Sequence, residues 1–121
     1  MSVHVRELNH VALHVRDLAT SVHFYGQVLG LPPIPRPSFD FPGAWFALGT
    51  QELHLIVDDH VRDGEHSVFH FALRVDDAHA ARRALERQGL TEFQGPAPRP
   101  DGVLQLFFRD PDGHVIEMLS E

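Results

Sequence analysis

The feature of this sequence that most constrains its fold is an internal repeat. Residues 9–17, Asn-His-Val-Ala-Leu-His-Val-Arg-Asp, have the same design as residues 69–77, Phe-His-Phe-Ala-Leu-Arg-Val-Asp-Asp. In each run a His begins a stretch that alternates by residue type, as a half-buried β-strand does, and an Asp closes it where a helical pattern starts. Repetition at a period of about 60 residues is too long for a solenoid and indicates two fused supersecondary units.

The elements that follow each run extend the repeat. A helix is predicted from Asp17 to Gly30 and another from Asp76 or Asp77 to Gly89, because Asp suits a helix N-cap and Gly a helix end. The proline-rich stretches 31–43 and 94–102 are predicted to be loops, the first with room for a short edge strand. The predicted strands are 8–16, 44–48, 52–57, 68–75, 103–109 and 114–119.

This order of elements, βαβ(β)β twice, predicts an α+β fold. At 121 residues the chain suits a single domain, 1–121, in which the half-modules span about 6–58 and 67–120. The absence of cysteine excludes disulfides, thiolate nucleophiles and Cys-type zinc sites, and the net charge of −7 argues against a nucleic-acid partner. With no apolar run of membrane-spanning length and no signal peptide, we expect a soluble cytoplasmic protein without a membrane partner.

Four side chains that bind metals well occupy equivalent places in the two halves. Each lies in a predicted strand, on the face opposite the aliphatic residues: His10, His54, His70 and Glu117. A single His in a strand is more often an ordinary hydrogen-bonded residue, but the mirrored positions favour a shared metal site. Imidazoles with one carboxylate suit Zn, Ni, Co, Mn or Fe(II) and not Ca, and no organic cofactor is predicted.

The same residues belong to segments that resemble the vicinal oxygen chelate superfamily. Its members include glyoxalase I, fosfomycin-resistance thiol transferases, extradiol dioxygenases, methylmalonyl-CoA epimerase and bleomycin-binding proteins. The resemblance covers nearly the whole chain and rests on residues 8–13, 21–31, 52–55, 70–73 and 107–117, the last reading Phe-Phe-Arg-Asp-Pro-Asp-Gly-His-Val-Ile-Glu.

The resemblance implies paired βαβββ modules that form a cup-shaped mixed sheet around one divalent metal, with the helices on the convex face. Small members of the family usually pair as homodimers. By that resemblance His10 and His54 of one subunit would meet His70 and Glu117 of the other, giving two sites per dimer. A monomer whose two modules close on each other remains an alternative.

Among the family's activities, the four-ligand set is most similar to glyoxalase I. Four protein ligands on an octahedral metal leave two positions for a chelating substrate, which suits a lyase or isomerase with Glu117 as the base. Extradiol dioxygenases and fosfomycin thiol transferases use three ligands and would leave His54 without a role. These two activities, and non-catalytic binding of an antibiotic or other small molecule, are the alternatives.

Further residues are predicted to contact a small-molecule substrate. Those expected on the site face or at its mouth are Arg74, His14, Trp45, Gln105 and Phe107. By resemblance, His14 and Asp58 stand where glyoxalase I has the Arg and Asn that hold glutathione. An acid at Asp58 would repel a glutathione carboxylate, which argues against glutathione recognition.

Overall fold

The computed structural model describes residues 3–61 and 69–121. The chain divides into two compact units, Met1–Val61 and Arg62–Glu121. The predicted start of the second half-module, near residue 67, and the predicted strand start at Val68 lie outside the described residues. No helix among the described residues is long and apolar enough to cross a membrane.

The first unit is a four-stranded mixed sheet with one helical segment between its first two strands. The sheet order is β1-β4-β3-β2, with β1 parallel to β4 and the other neighbours antiparallel. Its elements are β1 His10–Val15, α1 Leu18–His23, a π-helical turn Phe24–Val28, β2 Pro33–Ile34, β3 Gly43–Leu48 and β4 Gln51–Val57.

The second unit repeats this arrangement. The sheet order is β5-β8-β7-β6, again with one parallel pair, β5 and β8, and antiparallel neighbours elsewhere. Its elements are β5 His70–Arg74, α2 Ala78–Arg87, β6 Gln94–Pro98, β7 Leu104–Arg109 and β8 Val115–Ser120. The predicted α+β class is confirmed, and each unit has the order βαβββ.

Two predicted elements differ from the structure. The helix expected from Asp17 to Gly30 is α-helical only to His23 and continues as the π-helical turn. The loop predicted for 94–102 contains a strand, β6, despite its two prolines. Proline lacks a backbone N–H, and it is tolerated in β6 because this strand is at the edge of its sheet. The pairing of β6 with β7 also shifts register between Gln94 and Ala97.

Both helices begin at the predicted aspartates. Asp17 accepts a hydrogen bond from the Thr20 backbone N–H at 2.9 Å, and Asp77 accepts from the N–H groups of His79 and Ala80. The backbone hydrogen bond from Thr20 lowers the pKa of Asp17, and that from Ala80 lowers the pKa of Asp77. Each carboxylate satisfies N–H groups that have no partner within the helix, which fixes where the helix starts.

Strand alternation separates a packed face from a polar face in the first unit. Leu53 and Leu55 are fully buried, and Phe46 lies beside Leu53 on β3. The helical segment approaches this face closely at Gly26, where a Cβ atom would lie 3.3 Å from the Phe46 ring. A Cβ atom at residue 26 would press against that ring, so the glycine permits the close packing of the helical segment on this face.

The second unit separates its faces in the same way. Ile116 and Leu106 are fully buried, and α2 presents its buried Leu85. The turn that leads into β8 is held by Asp110, whose carboxylate accepts hydrogen bonds from the N–H groups of Asp112 and His114 at 2.9 and 2.8 Å. The Asp110–Gly113 segment is therefore structural and leads directly into the strand that carries Glu117.

Candidate metal centre

The first half-site lies on the polar face of the first sheet. His10 is the first residue of β1, and His54 is in the middle of β4, paired with Ala12. Their rings stack with centroids 4.1 Å apart and planes 20° from parallel. The two predicted histidine ligands of this unit are therefore neighbours on one face of the sheet.

The His54 ring is held on three sides. His10 covers one face, and Trp45, its cross-strand partner on β3, stacks on the ring at 3.8 Å with an interplanar angle of 1°. The edge is held by Glu52, whose Oε1 accepts a hydrogen bond from His54 Nε2 at 2.8 Å. His10 is held in turn through its Nδ1, which donates to Asn9 Oδ1 at 2.8 Å. Both imidazoles are thus oriented by neighbouring side chains.

The second half-site lies on the polar face of the second sheet. His70 Nε2 is 3.1 Å from Glu117 Oε1, and the other carboxylate oxygen of Glu117 accepts from Gln105 Nε2 at 3.2 Å. The side chain of Glu117 is 5% exposed and that of His70 is 39% exposed. Phe107, opposite Glu117 on β7, meets the His70 ring edge-on at 5.7 Å between centroids. A buried carboxylate with a fixed orientation thus faces a more accessible imidazole.

Two other predicted substrate residues engage neighbours. His14 Nδ1 donates to Asp58 Oδ2 at 2.8 Å, and this hydrogen bond, with a further one from the His60 N–H, lowers the pKa of Asp58 below its ordinary value of 3.8. Arg74 lies 3.3 Å from Glu121, and both side chains are more than three-quarters exposed. Since an ion pair so exposed contributes little, Arg74 can exchange Glu121 for another anion.

The predicted quartet is therefore brought together as two pairs, one in each unit. Within each unit, the described residues contain no group of three or more His, Asp or Glu that could hold a metal. His10 with His54 and His70 with Glu117 are the combinations that the folded chain places side by side. The four-ligand site remains a prediction.

The chemistry of these pairs fits a divalent transition metal. Imidazole nitrogen and carboxylate oxygen are ligands that Zn, Ni, Co, Mn and Fe(II) accept. The donor atoms His70 Nε2 and Glu117 Oε1 lie 3.1 Å apart, and His10 carries the outer hydrogen bond that typically orients a ligating imidazole.

One residue of the half-sites was not predicted from the sequence. Glu52 precedes His54 by two positions, so the period-two pattern of β4 places both side chains on one face. That spacing was visible in the sequence. Glu52 has no equivalent in the second half, and the mirrored pattern that identified the other four residues did not select it.

Comparisons with known proteins agree with this fold. A family model described as the Glyoxalase/Bleomycin resistance protein/Dioxygenase superfamily matches residues 7–118. A Neisseria meningitidis protein named lactoylglutathione lyase is 31% identical over 126 residues, which cover 94% of this chain and 90% of the relative. A Serratia marcescens protein named glutathione transferase FosA is 31% identical over 119 residues, covering 94% and 80%.

A solved structure of a glyoxalase family protein has the same fold. The crystal structure of a glyoxalase family protein from Bacillus anthracis matches with a TM-score of 0.87 and 27% identity, covering 100% of this chain and 99% of the other. The predicted resemblance to the vicinal oxygen chelate proteins is confirmed. Because the family match spans nearly all of its length, the chain belongs to the Glyoxalase/Bleomycin resistance protein/Dioxygenase superfamily.

Proposed function

We propose that this protein is a metal-dependent lyase or isomerase of the glyoxalase I-like type, acting by proton transfer on a small compound with vicinal oxygens. The observation that carries the proposal is the buried Glu117 carboxylate, in contact with His70 at 3.1 Å and oriented by Gln105 at 3.2 Å. A base must be held in one orientation to take a proton from carbon, and these contacts hold it.

The proposed site combines the two half-sites. One divalent metal, Zn, Ni, Co, Mn or Fe(II), would be held by His10, His54, His70 and Glu117, with the two pairs supplied by two copies of the chain in a homodimer. The alternative, in which both pairs come from one chain, uses the same four residues. A metal bound there would supply a Lewis acid for the substrate carbonyl oxygen.

The proton transfer itself is assigned to Glu117. Its carboxylate takes the proton from the carbon beside the carbonyl, and the electron pair of the broken C–H bond forms the new C=C bond as the carbonyl oxygen becomes negative. The same carboxylate returns the proton to the former carbonyl carbon. The hydroxyl proton on the other carbon moves to the negative oxygen and its O–H electron pair forms the new C=O bond, so that no oxidant or reductant is needed. Gln105 stays hydrogen-bonded to the other oxygen and keeps the carboxylate in position throughout.

Substrate contacts are proposed for side chains on the polar faces. Phe107 packs edge-on against His70 and offers an apolar wall beside the base. Arg74, on the same face of β5 as His70, can pair with an anionic group of the substrate in place of Glu121. Trp45 is stacked on His54, so its contact with a substrate would be at the ring edge or the face turned away from His54.

The test is exchange of substrate carbon-bound hydrogen with solvent. Small 2-hydroxyaldehydes, 2-hydroxyketones and 2-oxoaldehydes are incubated in D₂O with metal-loaded or metal-depleted protein and followed by ¹H NMR. The proposal expects deuterium beside the carbonyl with the loaded protein and none above background with the depleted one. Equal exchange with both would contradict it.

Glutathione conjugates are expected to be poor ligands. His14 is already hydrogen-bonded to Asp58, whose lowered pKa keeps it anionic, so a glutathionyl carboxylate would meet a negative charge. We predict that glutathione and S-lactoylglutathione at millimolar concentration leave the unfolding temperature of metal-loaded protein unchanged. If the charge of Asp58 prevents binding, Asp58→Asn should allow glutathione to raise the unfolding temperature, whereas the matched control Asp59→Asn should not. Clear stabilisation of the wild-type protein by either compound would refute this prediction.

The relative named glutathione transferase FosA supports thiol transfer as a second candidate. This activity uses three ligands in the family, so His54 would be dispensable. His54→Ala distinguishes the two candidates, because four-ligand proton transfer requires weaker metal binding in this variant and three-ligand thiol transfer requires unchanged binding.

A further inference from the structure

We propose that Glu52 is a positioning residue that fixes the tautomer and orientation of His54, so that His54 Nδ1 carries the lone pair offered to the metal. The inference rests on the metal site of the proposed function and adds to it a residue outside the four ligands. Its basis is the hydrogen bond of 2.8 Å between His54 Nε2 and Glu52 Oε1.

The contact between Glu52 and His54 follows from the geometry of strand β4. Glu52 and His54 are two positions apart, which places their side chains on the same face of the sheet. The side chain of His54 is 10% exposed, whereas that of Glu52 is 36% exposed. Glu52 is also the register partner of His10, so the carboxylate lies within the first half-site.

The aromatic neighbours leave His54 few other orientations. Trp45 stacks on the ring at 3.8 Å and His10 stacks on it at 4.1 Å, which fixes the plane of the imidazole. Only one other orientation keeps this plane. It is reached by rotating the ring by half a turn about the Cβ–Cγ bond, which moves Nδ1 and Nε2 to the opposite edge. A hydrogen-bond acceptor at one edge selects between the two, and Glu52 is that acceptor.

The chemistry of imidazole then sets which nitrogen is available. A neutral imidazole has one N–H and one lone pair, and a carboxylate accepts the N–H. With Nε2–H donated to Glu52, the lone pair is on Nδ1. Such an outer carboxylate raises the basicity of the imidazole, and its removal typically weakens metal binding by about 10- to 100-fold.

Direct ligation by Glu52 is the competing role, and the structure favours positioning. In the second unit the carboxylate beside the His is Glu117, which is 5% exposed and also bound to Gln105. Glu52, at 36% exposure, is less enclosed than Glu117.

The first experiment measures Zn²⁺ affinity of the full-length protein, without a His tag, by competition with a chromophoric chelator. We expect Glu52→Ala to weaken the tightest site about 10- to 100-fold, and Glu52→Gln, whose side-chain oxygen still accepts from Nε2–H, to weaken it less. The matched control is Glu86→Gln on α2, which removes the same charge from a side chain that is 48% exposed. Affinity of Glu52→Ala within twofold of wild type would overturn the inference.

A double-mutant cycle separates positioning from ligation. If Glu52 acts through His54, adding Glu52→Ala to His54→Ala should cause no further loss of Zn²⁺ affinity. If Glu52 is an independent ligand, the two losses should multiply, and the inference is wrong. Unfolding temperatures of all variants establish that the compared proteins are folded.

A readout that needs no metal tests the contact itself. Long-range ¹H–¹⁵N NMR of the imidazoles in metal-free protein should show His54 protonated at Nε2 in the wild type, with a mixture of tautomers in Glu52→Ala.

A wild-type protein that binds no Zn²⁺ would refute the proposed function together with the inference. Zn²⁺ binding that is normal in wild type and unaffected in Glu52→Ala would refute the inference alone.

Discussion

Glu117→Gln is expected to reduce proton exchange by about 100- to 10,000-fold, the range typical for loss of a general base. The amide has nearly the shape of the carboxylate and can still contact His70 and Gln105, but it cannot take a proton. Since Glu117 is also a proposed ligand, weaker metal binding is expected as well. Exchange is therefore measured at saturating metal, on whichever small oxo or hydroxy compound the D₂O assay identifies.

Two comparisons make the Glu117 result specific. Glu86→Gln, which removes a carboxylate from the exposed surface of α2, should leave exchange unchanged. Gln105→Ala removes the contact to Glu117 Oε2 and should lower the rate while leaving a measurable activity. Exchange by Glu117→Gln within tenfold of the wild-type rate would mean that another group is the base.

Ile116→Ala is expected to lower the free energy of unfolding by about 2–5 kcal/mol, as is usual when a large aliphatic side chain is removed from a packed core. Ile116 is fully buried on β8, and its side chain points to the face opposite that of Glu117. The strand is central in its sheet, with β5 on one side and β7 on the other. Urea denaturation at fixed pH measures the loss.

The control for Ile116 is Val5→Ala, which truncates a branched side chain that is 84% exposed and should change the free energy of unfolding by less than about 0.5 kcal/mol. Folded Ile116→Ala protein should bind metal with near wild-type affinity, because the lost atoms lie on the other face of the strand. A cost below about 1 kcal/mol would contradict the assignment of Ile116 to the core of the second unit.

The repeated strand-helix pattern predicted most of the fold because it depends on local rules. Asp17 and Asp77 cap the helices, as their positions indicated, since a carboxylate before a helical pattern satisfies exposed N–H groups in any context. Strand alternation likewise predicted that His54 would lie opposite Leu53 and Leu55. The β6 strand was missed because its two prolines are tolerated only at a sheet edge, and edge position depends on the whole sheet.

The sequence predicted four candidate ligands but not their contacts, and their binding of a metal stays a prediction. His10, His54, His70 and Glu117 were selected by their mirrored positions, and the structure pairs them within each unit. The stacking of Trp45 on His54 depends on the register between β3 and β4, which the sequence does not specify to one residue. Glu52 was on the correct face but lacked a mirrored partner, so only the structure connected it to His54.

The central claim is that the two half-sites together hold one metal, and metal titration tests it most directly. Metal-free, untagged protein is titrated with Zn²⁺ while the fluorescence of Trp45, the one tryptophan of the sequence, is followed. Because Trp45 is stacked on His54, a metal bound by His54 should change its emission. We predict saturation at one tight metal per chain, with affinity reduced by alanine at His10 or His54 in the first unit and equally by alanine at His70 in the second. Loss of tight binding from changes in one unit alone, or no tight binding in the wild type, would contradict the claim.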